Sequence, residues 1–122
     1  MAQAKNLVQY VVVRGDLATA LKWPYGAIIA QACHACVAVT HLFYEDQNTK
    51  DYLSDLDNMH KVVLQAPNEE SLQQLAKTLK EGGIDHKVWV EQPENYPTCV
   101  VTKPYPKAEI QKFFKKFQLF KG

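Results

Sequence analysis

Between Pro24 and Tyr44 the chain carries no charged residue, yet it sets Gln31, His34 and His41 among small apolar neighbours. At 3.6 residues per turn, positions 27, 31, 34, 38 and 41 share one side of a helix. An imidazole exchanges a proton near neutral pH. A carboxamide one turn earlier can donate an N–H to an oxygen that gains charge. The stripe is therefore either a functional site or a set of core polar groups satisfied by internal partners. Its apolar surroundings predict a buried helix. Cys33-x-x-Cys36 has redox or zinc spacing, but no second ligand pair accompanies it. Both thiols read as small buried apolars, and no metal site is expected.

Holding such a stripe requires a sheet, and the flanking segments supply one. The 122 residues make one domain that needs no staples, with residues 1–6 as a tail and 7–122 as the folded unit. Leu7 to Val13 is β-branched and nearly continuous, as in a strand buried on both faces. A loop through Trp23 leads to Pro24, suited to a first helical turn, and the striped helix runs to about Tyr44. Asn48 to Asn58 reads as a second helix with Tyr52, Leu53 and Leu56 inward, and His60 to Ala66 as a second strand. Asn68 caps a helix whose stripe is Leu72, Leu75, Ala76 and Leu79, closed by Gly82-Gly83. Asp85 to Glu91 and Thr98 to Lys103 stand too close for a crossover, so they predict an antiparallel hairpin. Ile110, Phe113, Phe114 and Phe117 are spaced as the apolar face of a last helix. The expected fold is α/β: a three-layer α/β/α sandwich with a mixed four-stranded sheet.

Charge narrows the partners less than the fold. A net +1 carries no global nucleic-acid signature, but its distribution is uneven. Glu45, Asp46, Asp51, Asp55 and Asp57 crowd the middle, and six lysines lie between Lys103 and Gly122. That polarity fits an oriented partner or two solvated faces. Three cysteines, an odd number, without a signal peptide fit a reducing compartment, and a cytoplasmic location is expected. Gln31 and His34 interrupt the longest apolar run, so no membrane span is expected.

Four stretches, in order, resemble the type 2 peptidyl-tRNA hydrolases. They are Val12-Val13-Arg14-Gly15-Asp16-Leu17, Gly26-Ala27-x-x-Ala30-Gln31-x-x-His34-Ala35, Lys61 to Leu72, and Thr98-Cys99-Val100-Val101 leading to Pro104. Trp23-Pro24, Glu91 to Asn95 and Tyr105-Pro106-Lys107 are similar to a divergent animal branch of that family. The resemblance implies cleavage of the ester between a peptide and its tRNA, no metal or organic cofactor, and often a homodimer. It also implies that the helix Gln and His lie close to the catalytic residues. Such chemistry needs an activated water, an oxyanion donor and a grip on phosphates. His34 is then the general base, and Gln31 the oxyanion donor or water-orienting group. Thr98 bonds substrate or the imidazole, and Glu91 stands at the family's loop Asp. The helix start at Gly26, with Arg14 and Lys61, meets phosphates. Ala27 occupies the position of the family's catalytic Lys, and Lys22 on a lengthened loop is the candidate substitute. Two functions follow: an ester hydrolase of peptidyl-tRNA, or an inactive relative that binds tRNA or protein.

Overall fold

A computed structural model describes residues 6–122. Of the expected tail only Asn6 falls inside it, and its carbonyl accepts a hydrogen bond from the Lys107 N–H at 2.9 Å.

The first strand, β1 (Leu7–Arg14), is the hub. Val8, Tyr10 and Val12 point to one core and Val11 and Val13 to the other, the period-2 alternation of a strand buried on both faces. β1 pairs in parallel with β2 (Lys61–Ala66) and antiparallel with β4 (Tyr96–Thr102). Outside β4 lies β3 (His86–Glu91), the antiparallel hairpin partner the short intervening loop predicts. Two helices cover the faces. α1 (Tyr25–Leu42) packs Ile28, Ala35 and Val39 onto Val11, Val13, Cys99 and Val101. α3 (Glu69–Glu81) packs Leu72, Leu75 and Leu79 onto Val8, Val12, Leu64 and Val100. The Asn68 side chain accepts from the Ser71 N–H at 2.9 Å, the expected N-cap. At the other end Gly83 takes φ +70, and the Ile84 and Gly83 N–H groups reach back to Leu79 and Lys80, closing a Schellman turn.

Three expectations are corrected. Among the described residues the mixed sheet has six strands, not four: order β3-β4-β1-β2-β6 (Gln118–Leu119), with β5 (Tyr105–Pro106) against the start of β1. The last helix is a single turn, α4 (Lys107–Ile110), followed by a 3-10 turn at Gln111–Phe113 and then β6 (Gln118–Leu119). The phenylalanine spacing suits a helix, but Phe114 lies flat on Tyr10, centroids 4.2 Å apart, and Phe117 packs in the same core. The chain then pairs Leu119 with Leu64, and the Phe120 N–H bonds Val63, using the open edge of β2. The second helix is α2 (Gln47–Leu53), and Leu56, expected inside, lies 62% exposed on a separate 3-10 turn.

The helix expected to be buried is buried along one line only: Ile28, Gln31, Ala35 and Val39. In length and composition α1 also matches a membrane span, with mean hydropathy 1.3 over 18 residues. Its packed face on the sheet makes it a layer of the domain.

Candidate active site

At 100° per residue, Gln31 lies on the edge of the buried line of α1, and Ala27 and His34 lie progressively outward. Their burial follows that order: Gln31 is buried, Ala27 half-buried and His34 exposed. The polar stripe is thus the shoulder of the helix, where packed sheet meets solvent.

Opposite it, β4 carries an irregularity. Trp89 faces Cys99 and Val90 faces Pro97, so Thr98 has no cross-strand partner. An extra residue of this kind bends a strand and re-aims a side chain. Thr98 points to α1, where its hydroxyl donates to the Gln31 Oε1 at 2.9 Å, both residues being buried. With its oxygen engaged, the Gln31 amide keeps its N–H₂ as the donor end. Thr98 therefore orients Gln31 and does not touch the imidazole.

His34 instead stacks on Trp89, centroids 5.0 Å apart with 28° between the planes. The indole N–H donates to Glu91 at 3.2 Å. Glu91, expected as the loop carboxylate of the reaction, is thus the group that holds Trp89.

Arg14 is also reassigned. Its guanidinium donates twice to Asp16 at 3.0 and 2.9 Å, to the Pro97 carbonyl at 3.1 Å and to Glu69 at 3.4 Å, and it lies 4.6 Å from the Tyr96 ring centre. The Asp16 hydrogen bonds, opposed by burial, keep it charged above the ordinary arginine range. Its side chain is 5% exposed, so it braces the loop after β1 and does not face a phosphate. The Arg-x-Asp-Leu motif is structural here: Leu17 is fully buried beneath that brace.

Lys61 lies at the wrong end. Parallel pairing sets it beside Gln9, five residues from Arg14 along β1, a separation of about 17 Å. There it donates to the Tyr52 hydroxyl at 3.2 Å.

Two further expected groups, Gly26 and Lys22, are exposed at and before the start of α1. Gly26 opens α1, and no heavy atom lies within 4 Å of where a side chain would start. Because Ala27 and Ile28 already donate to the Pro24 carbonyl, the Tyr25 and Gly26 N–H groups are the ones left for an anion. Lys22, exposed in the preceding loop, takes φ 58, a left-handed conformation unfavourable for a lysine. Its neighbours impose it: Leu21 N–H bonds Asp16 at 2.9 Å and Trp23 N–H bonds Leu17 at 2.8 Å.

Sequence reasoning missed Trp89, Tyr96 and Trp23 as site residues. Trp23 stacks on Tyr96, centroids 6.0 Å apart. Trp23 lies just before the striped helix in sequence, and no spacing marks Trp89 or Tyr96. Cys33, expected to be buried, is exposed, whereas burial pushes the Cys36 and Cys99 thiols up and keeps those two protonated. No cluster of potential metal ligands occurs among the described residues.

The family model described as "Peptidyl-tRNA hydrolase PTH2" matches residues 7–120. A Homo sapiens protein named "Putative peptidyl-tRNA hydrolase PTRHD1" is 50% identical over 121 residues, covering 98% of this chain and 86% of that protein. A Mus musculus protein of the same name is 52% identical over 116 residues, covering 94% and 83%.

Proposed function

The chain belongs to the peptidyl-tRNA hydrolase PTH2 family, and from that membership we propose that it hydrolyses the ester joining a peptide to tRNA. The observation that carries the reading is the buried Thr98–Gln31 hydrogen bond beside an exposed His34 one turn further along α1. His34 takes a proton from water, which attacks the ester carbonyl. The Gln31 N–H₂ faces the oxygen as it gains charge. The His34 proton then passes to the departing ribose hydroxyl. Lys22 supplies the cation that Ala27 lacks, and the N-terminal N–H groups of α1 hold a phosphate. A cytoplasmic setting and tRNA recycling accompany this reading.

A specific observation favours a second reading, a tRNA- or protein-binding relative without turnover. Besides Ala27, two groups expected to act on substrate, Glu91 and Arg14, are held by Trp89 and by Asp16 and Pro97. Release of labelled peptide from peptidyl-tRNA under multiple turnover, run beside a tRNA gel shift, separates the two. Binding without release selects the module.

Lys22 allows fold and function to be separated. Lys22→Gly removes the left-handed penalty, so its thermal stability holds or rises by about 1 kcal/mol. Hydrolysis falls by about tenfold or more, as it does for His34→Ala. Unchanged release rates in both variants would sink the catalytic assignment.

A homodimer through the outer face of α1 completes the reading. Ile29 and Val37 are 62% and 71% exposed, Cys33 lies between them, and Tyr25 and Tyr44 extend the patch. An uncharged face of this kind meets its own copy across a two-fold axis without like-charge repulsion. Antiparallel pairing of an 18-residue helix places the two Cys33 side chains near that axis. Mild oxidation should give a Cys33-linked dimer that Cys33→Ser abolishes, and Val37→Glu should shift sedimentation to the monomer. A wild-type monomer at high concentration would exclude the arrangement.

A further inference from the structure

Two ring stacks border the core beneath α1: His34 on Trp89, and Trp23 on Tyr96. They are not the centre of the core beneath α1, where Leu17, Ala35, Val39, Cys99 and Val101 are fully buried. Trp23, Trp89 and Tyr96 are half-buried and packed against that core, and His34 is exposed. The Trp89 ring is also fixed at its edge by the Glu91 hydrogen bond. The result is a flat ring facing water, backed by a second ring that cannot swing away.

A planar face held this way suits a planar ligand. An apolar peptide side chain, by contrast, is best taken up by a concave pocket. We propose that the His34–Trp89 pair is a stacking platform for an unpaired nucleobase, the terminal base of the single-stranded 3′ end of tRNA. This rests on the reading that tRNA is the ligand. Single-stranded nucleic acids are bound in this manner, by stacking splayed bases on His, Tyr, Phe or Trp. Stacking uses the face of the imidazole and leaves its ring nitrogens, which project in the ring plane, free for proton transfer. Because the ester sits on the ribose of that same terminal nucleotide, stacking also brings the scissile bond to the edge of His34. Trp89 and Glu91 are positioning residues: Glu91 holds the indole, and the indole backs the imidazole.

The probe is the trinucleotide CCA, 5′-labelled for anisotropy, with a control whose terminal nucleotide is abasic. In a Trp23→Phe background Trp89 is the sole tryptophan, and CCA should saturably quench its selectively excited emission while the abasic control does not. Trp89→Leu and His34→Ala should each weaken CCA binding on the order of 10–100-fold, and both should abolish the preference for CCA over the abasic control. His34→Phe should retain CCA binding while losing peptide release. Because His34 is exposed, its variants test the idea even if Trp89→Leu is poorly folded by circular dichroism. Equal affinity for CCA and the abasic control overturns the proposal. Unchanged CCA affinity in folded His34→Ala does so too, as does quenching by an N-acetyl-phenylalanine ester in place of CCA. Base-dependent binding without peptide release leaves the platform standing and removes the hydrolase reading. Peptide release that ignores the terminal base does the reverse.

Discussion

Ala27→Lys should raise multiple-turnover release of peptide from peptidyl-tRNA by about 10²–10³-fold, the size of effect that one preorganised electrostatic group has on such a reaction. Ala27 is half-buried one turn before Gln31 on the same shoulder of α1. A lysine there can lay its apolar stem along the helix and bring its ammonium toward the Gln31 amide. Partial exposure leaves room for the longer side chain, so stability should change by no more than about 0.5 kcal/mol. The split between constants tells what the charge does. A rise in kcat means that it acts on the transition state, and a fall in KM alone means that it only holds phosphate. An unchanged rate with native tRNA binding would show that the rest of the site is not competent, and the binding-module reading would replace the hydrolase.

Lys103→Ala should cost about 3 kcal/mol of folding stability, measured by urea denaturation, with little direct effect on the Gln31–His34 shoulder. Lys103 is buried directly after β4, at the end of that strand away from Thr98. Its ammonium bonds Asp46 at 2.6 Å and Asp85 at 3.3 Å, and sits 4.7 Å from the Tyr105 ring centre. Removing one partner of a buried pair typically costs about 3–5 kcal/mol, because the remaining charge stays desolvated. The lower end applies, since the Asp46 and Asp85 side chains are 30% and 46% exposed. The same contact sets a pH dependence. Burial pushes the Asp46 carboxyl up, but the Lys103 hydrogen bond and charge, with the Thr49 and Asn48 N–H groups, hold it below its ordinary value. A carboxylate with a lowered folded value stabilises above the ordinary carboxylate range, from about pH 4 upward, and that contribution is lost as pH falls through the lowered value. Wild type should therefore lose stability below about pH 4 more steeply than Asp46→Asn. Equal acid profiles would show that the clasp contributes nothing.

The two clasps, Arg14–Asp16 and Lys103–Asp46, show what a linear reading misses. Arg14 and Lys61 both read as phosphate contacts because a cation near a motif is indistinguishable, in one dimension, from a cation facing solvent. Folding sends Arg14 into a brace beneath Tyr96. The parallel pairing of β1 and β2 sends Lys61 to the opposite end of the sheet. The last helix failed for a related reason. Ile110, Phe113, Phe114 and Phe117 satisfy a helical period, but the Tyr10–Phe114 stack and the open edge of β2 outweigh a short helix.

What the sequence by itself determined is the local and periodic part: the two-faced β1, the Asn68 cap, the glycine stop after α3, the close β3–β4 hairpin, and the Gln31–His34 shoulder with the family that it marks. These follow from neighbours in the chain, through backbone hydrogen bonds and residue spacing. What only the tertiary structure decided is which polar groups face one another. The unpaired Thr98 turns toward Gln31, Glu91 is taken by Trp89, and α1 keeps one face packed and the other bare. Those outcomes depend on strand register and on competition for each donor among groups distant in sequence, and no spacing along the chain encodes that competition.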